Sequence, residues 1–104
     1  MKAIGKATKT QINDWKKEFG KIYELSVEDE DGEHFTYVKK PNIDTLSAVT
    51  KYTDTDPLKS LVIMFNGTRL GGSEKVTTDD ELKLSTAAGL KSIFKMKAVK
   101  LKKL

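Results

Sequence analysis

The chain contains no cysteine. That excludes disulfides, thiolate catalysis and cysteine-ligated metal, and it suits a reducing compartment. Histidine is almost as scarce. His34 stands alone, with no second histidine or cysteine to complete a metal site or a nucleophile pair, and a surface position beside an acidic turn is expected for it. Of the nineteen basic residues only Arg69 is an arginine. Base edges are read most often by bidentate arginine, so sequence-specific DNA recognition is not expected, although lysines can still bind phosphate by releasing counterions. Long apolar runs are missing as well: nothing approaches the ~20 residues of a membrane span, and the start, MKAIGKATKTQ, has no run of signal-peptide length. A soluble, cytoplasmic protein without a membrane span is the expectation.

What is present fits one small folded unit. A chain of 104 residues can bury one modest core, and an apolar share of 38% with eight aromatic residues is too high for general disorder. The net charge of +4 is unevenly spread, with +4 in residues 1 to 21, +6 in residues 91 to 104 and therefore −6 between them. Such polarity steers an oppositely charged partner, or lets basic ends lie against an acidic middle.

Residues 1 to 9 have neither helical nor strand periodicity and are expected as a flexible leader to a single domain over 10 to 104. Ile12, Trp15 and Phe19 mark a short amphipathic helix, with Thr10 placed to cap it, Gly20 to stop it and Trp15 as a core anchor. "KIYELSVEDEDGEHFTYVKKP" then alternates as a β-hairpin. A three-residue loop, Glu30-Asp31-Gly32, pairs Val27 with Phe35 and Leu25 with Tyr37, collecting the apolar side chains on one face. Asn42 caps a helix carrying Ile43, Leu46, Val49 and Tyr52. Asp56-Pro57 opens another with Leu58, Leu61, Val62 and Phe65, ended by Asn66-Gly67. After the loop "GTRLGGSEKVT", Thr78 and Glu81 stand at capping-box spacing before a last helix expected to bend or break at Gly89. The class is α+β, a hairpin packed with three to four helices, the last of them long and basic.

Several chemistries fail on spacing. In an EF-hand frame set by Gly32, Val27 and Val38 fill ligand positions, and in the P-loop spacing of Gly67 and Gly72, Ser73 replaces the phosphate lysine. Asp54, Asp56, Asp79, Asp80 and Glu81 are accounted for as caps and first-turn acids. No catalytic residue, metal site or cofactor is expected, and the protein is expected not to be an enzyme.

The segment "KSIFKMKAVKLKKL" offers an interaction surface instead. At helical spacing Leu90, Ile93, Phe94, Leu101 and Leu104 share one stripe, Lys91, Lys95 and Lys102 lie opposite, and Lys97 projects within the stripe itself. An ammonium there must lift its charge into water, or the stripe leaves the domain and meets another protein, so these apolar residues with Lys97 form the expected partner-binding face. Self-association and capture of a foreign protein both follow from such a face. The alternative is non-specific nucleic-acid binding through the basic ends.

The succession "WKKEFGKIYELSVEDEDGEHFTYVKKP", "DPLKSLVIMFNGTRLGG" and "DDELKLSTAAGLKSIFKMKAVKLKKL" resembles small proteins of tailed bacteriophages and prophages in the tail assembly chaperone class. The resemblance is carried by the aromatic-flanked hairpin ending in Lys40-Pro41, the Asp56-Pro57 helix start, the Leu70-Gly71-Gly72 loop and the lysine-rich end. It implies a small cofactor-free domain in a bacterial host that binds a tape-measure protein, and in some cases a tail protein, during tail assembly. It carries over no catalytic residues.

Overall fold

The computed structural model describes residues 1–93 and 98–104. The elements run β1 (Ala3–Ile4), α1 (Lys9–Phe19), β2 (Ile22–Asp29), β3 (Gly32–Lys39), α2 (Ile43–Tyr52), α3 (Pro57–Thr68), β4 (Arg69–Gly72), α4 (Lys75–Thr78) and α5 (Asp80–Gly89), followed by a 3₁₀ turn over Leu90–Ser92. The α+β class is as expected. No helix among the described residues is long and apolar enough to cross a membrane.

Local chemistry sets most helix boundaries. Asn42 and Asp56 accept from the backbone N–H groups of Thr45 and Lys59, and Pro57 occupies the first turn of α3, where its missing N–H is not needed. Gly20, at φ 84°, ends α1. The cap of α1 is Thr8 rather than Thr10, in a reciprocal capping box with Gln11. Asp79, not Thr78, caps α5 by accepting from Leu82 N–H.

The sheet is built around β3. β2 pairs antiparallel along one edge, while the other edge is shared by β1, parallel against Glu33 and His34, and β4, antiparallel against Thr36 to Val38. The hairpin register differs from expectation. Val27 faces His34, Leu25 faces Thr36 and Ser26 faces Phe35, around a two-residue turn of Glu30 and Asp31. Asp31 N–H donates to Asp29 Oδ1 at 2.9 Å and closes that turn. The expectation assumed a single apolar face, whereas β3 is buried on both. Val38 packs with Phe65, Val76, Leu82, Ala87 and Leu90 on the core side. On the reverse side Trp15 stacks 5.5 Å from Tyr37, and Lys6 Nζ lies 4.3 Å over the Phe35 ring. Trp15 is thus a half-buried cover for the second face and lies outside the main core cluster.

The first nine residues depart from a loose leader. Lys2 carbonyl accepts from Glu33 N–H at 2.8 Å, β1 extends the sheet, and Ala7 N–H donates to Tyr37 Oη at 3.1 Å. Their pairing partners lie some thirty positions away, beyond the reach of any local periodicity. The far end departs too. α5 stops at Gly89, and residues 98–104 have neither helix nor strand. The break at Gly89 is as expected, but the long basic helix is not formed: Leu90 has gone into the core, and residues 98–104 touch no second surface that would repay helical ordering.

Two glycines permit the close packing at the end of β4 and just after β1. A Cβ on Gly72, at φ 125°, would collide with the Phe35 carbonyl oxygen, and one on Gly5, at φ 78°, with the Ser73 backbone. Gly72→Ala is therefore expected to lower unfolding free energy by more than about 2 kcal/mol, read as a fall in the urea midpoint at unchanged slope. An unchanged midpoint would contradict the packing.

Candidate functional site

Strand alternation points His34 toward the core side, one step from the hairpin tip, and the β4–α4 turn brings Ser73 and Lys75 beside it. With Asp29 and Asp31 they form a continuous polar chain of five residues. Ser73 Oγ lies 2.7 Å from His34 Nδ1, and His34 Nε2 lies 2.8 Å from Asp29 Oδ1. Lys75 Nζ donates to Asp29 Oδ2 at 2.8 Å and to Asp31 Oδ2 at 2.7 Å. His34, expected at the surface, is only 1% exposed, and Ser73 2%. The expectation failed because the register and the strand β4 beside it bury that position.

The electrostatics assign the protons. Asp29 is held far below the usual carboxylate range, first by the Lys75 ammonium and then by His34 and the Asp31 N–H, against the opposing penalty of burial. Lys75 is raised in turn by Asp29 and Asp31. An ionised Asp29 can only accept, so His34 donates to it from Nε2, and Nδ1 is left to share the hydrogen bond with the Ser73 hydroxyl. On the opposite face, Lys6 at 2.9 Å and the Tyr37 hydroxyl at 2.7 Å lower the Glu24 carboxyl in the same way.

A cleft of ≈600 Å³ opens beside this chain, between Ile4, Gly5, His34, Ser73 and Lys75. The order serine, histidine, aspartate is that of a hydrolytic triad, but the surroundings differ from one. Gly5 presses on the Ser73 backbone, the serine is not strained at positive φ, and Lys75 shares the charge an aspartate would lend to an imidazolium. Asp29, Asp31 and His34 could also converge on a cation, with ligand atoms within 4.8 Å of one another, yet the Lys75 ammonium already bridges the two carboxylates. The geometry describes a brace that ties the hairpin tip to the β4–α4 turn. No sequence signal marked it, since its contacts span 39 and 46 positions.

Of the six residues expected to bind a partner, the four that are described do not form one face. Leu90 is buried in the core and Ile93 packs against it; Phe94 and Lys97 lie outside the described residues. Leu101 and Leu104 sit far from that core, on a segment where Val99 is 87% and Leu101 97% exposed, with Leu104 also fully exposed. Lys100, Lys102 and Lys103 alternate with them and are exposed too. The sequence stripe therefore divides into a part that completes the domain and a part that does not.

No family model matches the chain, and no curated protein does. Its fold is similar to the solved structure of an uncharacterised protein, rbstp2171, from Bacillus stearothermophilus, with a TM-score of 0.60 and 22% identity. The match covers 88% of this chain and 99% of that one. At that identity the likeness concerns the fold alone.

The brace gives a pH dependence with a definite sign. A depressed carboxylate contributes stability that is present above its unfolded value, near 3.9 for aspartate, and lost as pH falls toward the folded one. Thermal midpoints should hold at about pH 5 to 8 and drop in acid. Lys75→Met should lower the neutral-pH midpoint and flatten the drop below about pH 4, because Asp29 loses its main stabilising donor. Circular-dichroism melts across that range check both, and parallel acid slopes in the two proteins would contradict the assignment.

Proposed function

We propose that the protein is a non-enzymatic interaction module that grips a protein partner through residues 98–104, with a phage tape-measure or tail protein as that partner, in the cytoplasm of a bacterial host. The reading is supported by one observation above all: Val99, Leu101 and Leu104 are exposed side by side among Lys100, Lys102 and Lys103, on a segment that adds nothing to its own core. Small apolar groups spaced by charge are the pattern of a segment that stays soluble alone and buries itself on docking.

Magnitudes limit how it can grip. Burying two leucines and a valine yields roughly 5–9 kcal/mol, while ordering seven residues costs about 1–2 kcal/mol each in backbone entropy. Apolar contact alone barely breaks even. A partner must also satisfy the segment's backbone or its lysines, which favours a strand edge or an acidic groove over a flat apolar surface.

The resemblance to tail assembly chaperones supplies the choice of partner. Affinity capture from a host lysate under phage induction, washed at moderate salt, should recover a tape-measure or tail protein with the full chain and at least tenfold less with residues 98–104 removed. Equal recovery by the shortened chain would overturn the reading. Recovery of nucleic acid that disappears steeply with salt would replace it with phosphate binding.

A further inference from the structure

The chain also carries a receptor for such a segment. β2 is eight residues long and among the described residues pairs only with β3, so among those residues its outer edge presents unpaired backbone groups along the sheet. Beside that edge, between β2 and α5, lies a groove of ≈170 Å³ with Val27 and Leu82 among its lining and Glu28, Glu30, Asp79 and Glu81 around it. Glu28 stands directly opposite Glu33 in the hairpin, a like-charge pair, and neither is within 4.0 Å of a cation among the described residues. Such a pair is destabilising until a positive charge arrives.

We infer that this edge and its acidic groove receive residues 98–104 of a second copy of the chain as an added strand. Three features match. The segment's seven residues fit the eight of β2. In an extended conformation Val99 and Leu101 turn to one side, continuing the face of Leu25 and Val27, while Lys100 and Lys102 turn to the side of Glu24 and Glu28, in either strand direction. The charges are opposite on both sides: Lys100 and Lys102 meet the side of Glu24 and Glu28, while Lys103, which alternates with Val99 and Leu101, turns to the groove side with Asp79 and Glu81. Added backbone hydrogen bonds, about 0.5–1.5 kcal/mol each, contribute the stabilisation that apolar burial alone lacks. The segment is fully exposed on its own chain, and the molecule extends to 58 Å with a radius of gyration of 15.5 Å, beyond the ~13 Å of a compact domain of this length. It reaches outward, toward a neighbour. Donor and acceptor surfaces differ, so the contact is heterologous and propagates head to tail until a ring closes.

The inference rests on the reading of residues 98–104 as a gripping segment, but it is tested on the purified chain alone, with no foreign partner. Sedimentation velocity over a hundredfold concentration range should show reversible association in the intact chain. Association should be at least tenfold weaker in the chain lacking residues 98–104, in Lys100→Glu/Lys103→Glu and in Glu28→Lys/Glu81→Lys. Mixing the last two variants should restore a complex, because each supplies the charge the other has reversed. An intact chain that stays monomeric throughout, or association that survives the truncation, overturns the inference. A monomer whose β2 amides exchange faster once residues 98–104 are removed places the segment on its own edge and also overturns it. If self-association is absent while tail-protein capture persists, this inference falls and the proposed function stands.

Discussion

The carboxylate of Asp29 binds donors from three separate parts of the chain: the Lys75 ammonium, the His34 ring and the Asp31 N–H. Each contact fixes something different. The Asp31 bond closes the hairpin turn, the His34 bond holds the register of β3 against β2, and the Lys75 bond anchors the short helix α4. Through His34 the same chain reaches Ser73, whose backbone N–H donates to Phe35 carbonyl at 2.8 Å and so continues the β4 pairing. Removing His34 would leave the buried Ser73 hydroxyl without this partner, and removing Lys75 would take the charged donor from one oxygen of the Asp29 carboxylate.

Around that brace the molecule separates into a closed half and an open half. β3 is covered on both faces and paired on both edges, so its only remaining freedom is internal. Among the described residues β2 is paired on one edge only, and while its Glu24 and Asp29 meet Lys6 and Lys75, its Glu28 stands opposite Glu33 with no cation within 4.0 Å. Residues 98–104 carry the matching surplus of positive charge. The polarity of charge along the chain therefore corresponds to a division between finished and unfinished surface.

Much of the helical structure was legible, because caps and stops are local. Asn42, Asp56-Pro57, Gly20 and the break at Gly89 act through neighbours within one turn, and all are found where the residues place them. The hairpin register was not legible. Choosing it by gathering apolar side chains on one face presumes an outer strand, and β3 is central only because β1 and β4 come to it from distant parts of the chain. The same remoteness hid His34, whose lone status among histidines and cysteines said nothing of Ser73 or Asp29. For the binding stripe, helical periodicity joined Leu90 and Ile93 to Leu101 and Leu104 across a boundary at which the domain ends. The period was real only for the half with a core to meet.

Residue Gly5, pressed against the backbone of Ser73, has a consequence for how the chain is made. The segment around Gly5 is seated against a turn that is synthesised nearly seventy residues later. Until that turn has emerged, β1 has half of its seat, and the edge of β3 beside it stays bare. The sheet is thus completed only once residues 69–73 have emerged, and a nascent chain stalled before Arg69 leaves bare the stretch of β3 from Thr36 to Val38 that β4 covers in the folded protein.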